Sequence, residues 1–170
     1  MSEARIIALE EVMKEISNMM VDDVDRDAIL SQIDSKCLEN DIDKEQVVAD
    51  VENIHNLLDE QGASRKKIER TMESPLTAYD KYRYIKLVKS FILDIKNHAY
   101  ANKKSEDIKT ILEEEPDYRV IMFSKNKSLV GLRKSIPKLV KIVREMKAKD
   151  KTEEEIIAFL YKHLFSYIKF

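Results

Sequence analysis

A chain of 170 residues holds one domain or two small units, and a chain of that size needs no disulfide or metal staple to close a core. Two glycines and three prolines leave little turn material for a β-rich fold, so the composition points to long helices joined by short polar connections. The net charge of -2 hides an asymmetry: residues 1–75 carry 9 basic against 19 acidic side chains, whereas residues 125–151 carry 10 basic against 2 acidic.

In chain order, Ser2 can cap a first helix in which Ile6, Leu9, Val12, Met13, Ile16, Met19 and Met20 recur at three- and four-residue spacing. The acidic run Val21 to Asp25 breaks that pattern. A second helix follows from about Arg26 to Glu39, with Ile29, Leu30, Ile33, Cys37 and Leu38 as its stripe. After Asn40-Asp41-Ile42, the pair Asp43 and Gln46 caps a third helix. That helix buries Val47, Val51, Ile54 and Leu58 and stops at Gly62, which suits a left-handed end. Ser64 caps a short basic helix to Met72, and Ser74-Pro75 marks the boundary between a unit of residues 1–75 and one of 76–170.

Thr77 or Asp80 is expected to open a long helix to about Ala101, with Tyr84, Ile85, Val88, Phe91, Ile92 and Ile95 on one side. Ser105 caps a shorter helix that Pro116 ends. Tyr118 to Phe123 has the β-branched and aromatic content of a strand but no partner strand, so it reads as a buried helical turn or an extended connector. Ser135-Ile136-Pro137 opens a helix lined by Ile136, Leu139, Val140, Val143 and Met146. Thr152 and Glu155 form a capping box for a last helix carrying Ile156, Ile157, Phe159, Leu160, Leu164, Phe165, Tyr167, Ile168 and Phe170. Being apolar nearly all round, that helix belongs at the centre of a bundle or in an interface. The predicted fold is all-α: an acidic three- to four-helix N-terminal unit packed on a basic C-terminal helical bundle, without an internal repeat.

The first sixty residues, a long helix, an acidic loop, the helix Arg26 to Glu39, the turn Asn40 to Asp43 and a helix closing on Leu57 to Gly62, resemble a helix-turn-helix or winged-helix core. Their rhythm is similar to the C-terminal domain of archaeal minichromosome maintenance helicases. The resemblance covers about a third of the chain. It departs from the family after Gly62, where Ala63-Ser64-Arg65-Lys66-Lys67 reads as another helix start instead of a strand and wing. The would-be recognition helix also exposes Glu45, Asp50, Glu52, Asp59 and Glu60, which repel phosphates. What the resemblance implies here is protein contact more than DNA reading.

Catalytic and metal-ligating patterns are missing from the sequence. His55, His98 and His163 stand far apart without a second ligand at helical spacing, so each reads as structural. Asp22, Asp23, Asp25 and Asp27 lack the central glycine and terminal glutamate of a calcium loop and read as a capping turn. Cys37, alone and among acidic neighbours, permits no intramolecular disulfide and makes a poor nucleophile. The isolated Gly62 and Gly131 form no phosphate-binding loop. No catalytic residue, metal or cofactor is therefore expected. No stretch has the length and apolarity of a membrane span, and the N-terminus shows no secretory pattern, so a cytoplasmic protein is expected, or a nuclear one in a eukaryote.

The basic segment carries the functional argument. Lys125 and Lys127 sit in a predicted loop, and Arg133, Lys134, Lys138, Lys141, Arg144, Lys147 and Lys149 spread over the face opposite Ile136, Leu139 and Val143. Such a face can displace counterions from nucleic acid without reading sequence, or keep the protein solvated, or meet an acidic partner. Tyr79, Tyr82 and Tyr84, mixed with Lys81, Arg83 and Lys86, add a weaker single-strand-binding signal. The expectation is a non-enzymatic accessory protein that meets nucleic acid through this helix and a protein partner through its acidic half. The alternative is a protein-interaction or assembly module, including a homo-oligomer, with the terminal apolar helix as interface.

Overall fold

The computed structural model describes residues 2–164, and every regular element among them is helical. The chain forms two compact units, one ending at Arg83 and one beginning at Tyr84. The change of unit thus falls within a helix, eight residues past Pro75.

In the first unit, α1 (Glu3–Val21), α2 (Arg26–Glu39) and α3 (Lys44–Glu60) pack against one another, and α4 (Arg65–Thr71) lies against α1. Their shared core holds Val12, Ile16, Ile29, Ile33, Val48, Val51, Ile54 and Leu58, each almost fully excluded from water. Leu38, expected in the stripe of α2, is instead 75% exposed. Ile29, Ile33 and Cys37, four apart, are buried in the core, and Leu30 packs half-buried against it. Burial, and next the carboxylate of Asp34, push the Cys37 thiol above its usual range.

The long helix α5 (Pro75–Tyr100) starts before Thr77. A missing N–H costs nothing in the first turn, and the Ala78 amide already donates to the Ser74 carbonyl at 3.0 Å. The second unit continues with α6 (Ser105–Glu114), a 3-10 turn (Pro116–Tyr118) and α7 (Arg119–Met122). The ambiguous segment is therefore helical, burying Tyr118, Ile121 and Met122. Tyr118 packs edge-on against Phe91, with ring centroids 5.3 Å apart, and its hydroxyl donates to Asp94. Lys127, expected in a loop, instead opens α8 (Lys127–Lys134), started by the Asn126 side chain, which accepts from the Ser128 amide at 3.0 Å. Then come α9 (Ile136–Ala148) and α10 (Glu153–Leu164). In α10 Ile156 and Leu160 are buried, while Phe159 is 44% exposed. Phe165, Tyr167, Ile168, Phe170 and the Leu164 side chain lie outside the described residues.

One corner geometry recurs five times. Each helix ends in a left-handed residue: Asp23 (φ 57°), Asp41 (φ 53°), Gly62 (φ 71°), Asn102 (φ 61°) and Asp150 (φ 59°). The next amide reaches back five residues to close the helix end, as from Val24 to the Met19 carbonyl at 2.9 Å and from Ile42 to Cys37 at 2.8 Å. The same bond runs from Ala63 to Leu58 at 2.9 Å, Lys103 to His98 at 3.2 Å, and Lys151 to Met146 at 3.0 Å. Two residues past the left-handed one stands the cap of the next helix: Asp25, Asp43, Ser64, Lys104 and Thr152. Ser64 and Thr152 accept from the amides of Lys67 and Glu155, both at 3.2 Å. This fixed spacing explains why Lys104 rather than Ser105 occupies the cap of α6.

Candidate nucleic-acid interface

Helix α9 presents Ile136, Leu139, Val140 and Val143 to the core of the second unit, against α6, α8 and α10. The 3.6-residue period then sends Lys138, Lys141, Glu145 and Lys149 to the opposite side. All four are exposed. Lys134, the last residue of α8, is exposed as well, beside a concavity of about 420 Å³ also lined by Glu106, Lys109 and Pro137.

Three of the nine sequence-nominated cations serve the fold. The Arg133 guanidinium is half-buried and donates to the carbonyls of Met122 and Ser124, the latter at 3.2 Å. It thereby satisfies acceptors at the end of α7. Arg144 donates to the Lys103 carbonyl. Lys147 donates to the Tyr100 carbonyl at 3.0 Å, with its ammonium 4.6 Å from the Tyr100 ring centroid. Lys147 thus sits on the carboxyl end of α5, where carbonyls lack intrahelical donors and the helix dipole favours positive charge, while Arg144 ties down the connector between α5 and α6.

Six cations remain directed at solvent. Lys125 precedes the Asn126 cap, and Lys127 stands on the first turn of α8 instead of in a loop. Lys134, Lys138 and Lys149 make no bond to a carboxylate among the described residues, and Lys141 lies 3.9 Å from Glu145 in an open pair. An exposed i,i+4 pair at that distance contributes little. The surface is thus an exposed lysine stripe interrupted by one carboxylate.

The tyrosine-rich stretch does not present a stacking platform. Tyr79 and Tyr82 are half-buried against the first core, their rings 6.4 Å apart and tilted by 34°, and Arg83 covers the Tyr79 ring at 5.8 Å. Tyr84 is half-buried against the second core, and burial raises its phenol above the ordinary value.

The acidic face of α3 is partly neutralised from within. Arg26 reaches Glu52 at 2.8 Å and Glu45 at 3.4 Å, and Lys44 reaches Asp34 at 2.8 Å. Asp59 and Glu60 stay exposed at the end of the helix. The histidines have local neighbours: His55 bonds Ser17 at 2.8 Å, His98 lies 2.9 Å from the Lys103 ammonium, and His163 sits edge-on to Phe159 at 5.4 Å. No family model, curated protein or solved structure matches this chain.

Proposed function

We propose that this protein is a non-enzymatic accessory subunit that holds nucleic-acid phosphates on the outer face of α8 and α9 and a protein partner on its acidic first unit. The observation that supports the reading is the division of labour among the cations. Arg133, Arg144 and Lys147 end on carbonyls, while Lys134, Lys138, Lys141 and Lys149 line an exposed stripe. Lysine ammonium groups on flexible stems suit sequence-independent phosphate contact, in which bound counterions are released. In this reading the helix-turn-helix-like order of the first three helices serves protein contact, because the exposed end of α3 is acidic.

Replacing Lys134, Lys138 and Lys141 by glutamate tests it. The triple variant should melt like the parent and lose binding to mixed-sequence oligonucleotides. The parent's affinity should fall steeply with salt, with a log–log slope of about -3 to -5 for four to six phosphates. Replacing Arg144 by glutamine should instead lower thermal stability and leave most of the salt slope in place. Unchanged affinity in the triple variant rejects the nucleic-acid reading.

The assembly reading draws on Phe159, 44% exposed on α10. Sedimentation of the full chain and of Phe159→Ser decides it: a dimer that the substitution dissociates favours an interface there.

A further inference from the structure

The first unit contains a second cationic feature, which joins the short basic helix after Ser64 to Lys81 on the next helix. α4 and the opening turns of α5 enclose a cleft of about 680 Å³ lined by Ser64, Lys66, Lys67, Arg70, Thr71, Ser74, Thr77, Ala78 and Lys81. The lining follows from two helical stripes. Residues 66, 67, 70 and 71 share one face of α4, while Ile68 turns into the core. Residues 77, 78 and 81 share one face of α5, beside Ser74 just ahead of it, and Ala78, 1% exposed, is small enough to leave the floor open. Four cations and four hydroxyls line the cleft, and no carboxylate does.

The charges there differ from most other cations of the unit, Lys14 on α1 being the other exposed one without a bonded partner among the described residues. Arg5 donates to the Asp41 carbonyl at 2.7 Å, Arg26 and Lys44 hold carboxylates at 2.8 Å, Lys36 holds Glu15 at 3.6 Å, and Arg65 holds Asp22 at 2.9 Å. Lys66, Lys67, Arg70 and Lys81 have no side-chain hydrogen bond or ion pair among the described residues. The hydroxyls are partly committed: Thr71 donates to the Lys67 carbonyl at 2.8 Å, and Ser64 accepts from the Lys67 amide at 3.2 Å. Ser74 and Thr77 keep their protons for a ligand.

We propose that this cleft binds the polyphosphate group of a small molecule, free or carried by a nucleotide. Size and donor set fit that class: pockets of roughly 300–1,000 Å³ hold small ligands. An arginine fork with lysine ammonium groups and hydroxyl donors matches the oxygens of linked phosphoryl groups. Ala78 is the only apolar residue of the lining, so the charged and hydroxyl groups, which suit an anion, supply the directional contacts. The rest of the unit argues for a compact ligand. Its carboxylate excess repels an extended nucleic-acid strand, whereas an anion lying wholly inside the cleft meets cations first, within a Debye length of about 8 Å at physiological salt.

Calorimetric titration of the full chain with inorganic triphosphate, orthophosphate, ATP and a single-stranded oligonucleotide, at about 0.15 M salt, tests the proposal. Saturable triphosphate binding at least about ten-fold tighter than orthophosphate is expected, since several phosphoryl groups share charge-assisted bonds. Equal affinity for ATP assigns recognition to the phosphates alone, and tighter ATP binding adds a contact to its nucleoside; both support the site. Arg70→Gln and, on the other wall, Lys81→Gln should each weaken triphosphate binding about five- to ten-fold. These positions are exposed, so helicity and melting should not change, and either variant suffices if the other misfolds. The glutamate triple at Lys134, Lys138 and Lys141 should leave triphosphate affinity intact, which separates failure here from failure of the nucleic-acid reading. Triphosphate bound no better than orthophosphate, unaltered affinity in both cleft variants, or displacement of triphosphate by the oligonucleotide would overturn it.

Discussion

At the residue scale, Lys96 is the least comfortable charge among the described residues. It is 5% exposed, its ammonium lies 3.5 Å from the Glu153 carboxylate and 5.5 Å from the Tyr100 ring centroid, and Glu153 itself is open to water. Removing an ammonium from water costs several kcal/mol in principle, and one long ion pair offsets only part of that. Lys96→Met keeps the aliphatic stem and leaves Glu153 solvated, so stability should hold or rise by about 1 kcal/mol in denaturant titration. Glu153→Gln should lower it, because the buried ammonium then loses its counter-charge; a Lys96→Met loss beyond about 2 kcal/mol would mean the pair is net stabilising. His55 supplies a pH dependence. Burial lowers its pKa from the ordinary 6.5, against a smaller opposing pull from Asp59, while it bonds Ser17 between α3 and α1. The unfolded chain then takes up the proton at higher pH than the folded one. The contribution of His55 is complete above about 6.5 and lost as pH falls below that toward the folded pKa. His55→Gln should therefore show a smaller loss of stability between about pH 7.5 and about pH 5 than the parent, and equal losses would exclude a role for this group.

At the element scale, helix positions were legible in the sequence because their determinants are local. Caps, apolar spacing and the residues after each helix act within one or two turns, so α1 to α4 and α9 begin close to where Ser2, Asp25, Asp43, Ser64 and Ser135 stand. The errors came where one local signal displaced another: Ser105 read as a cap although the corner after Asn102 sets the cap at Lys104, and Lys127 read as loop although it opens α8, whose Lys, Ser and Gly131 dilute its two core leucines. The corners also make a prediction. Asp150 places a side chain in left-handed backbone and a carboxylate at the negative end of α9, whereas Asn102 has only the backbone strain. Replacing either by glycine relieves strain but loosens the unfolded chain, a net gain of about 0.5 kcal/mol. Asp150→Gly should gain a further ~0.3–1 kcal/mol, which high salt abolishes. Equal gains for both variants in thermal melts would rule out the dipole contribution.

At the scale of the whole molecule, the all-α class was legible from composition and periodicity, and the candidate surface only in part. Lys138, Lys141 and Lys149 follow from the period of α9 alone. That Arg144 and Lys147 belong to the corner between α5 and α6 could not be read from sequence, because their acceptor carbonyls lie 41 and 47 residues upstream. The cleft of Arg70 and Lys81 stayed hidden for a related reason: each stripe looks like an ordinary solvated face until α4 and α5 are set side by side. The repeated corner has a consequence for time rather than for stability. Each is closed by a bond spanning six positions, so the chain reverses direction before any distant pairing has formed, and little loop entropy stands between coil and bundle. Folding of such a chain belongs in the microsecond-to-millisecond range. Gly62→Ala probes this directly. A methyl group there meets nothing within 4 Å, so its cost, about 1 kcal/mol, is purely that of left-handed backbone at φ 71°. If the corner between α3 and α4 is set in the transition state, stopped-flow or temperature-jump traces will show that cost mainly as slower folding, with the unfolding rate nearly unchanged.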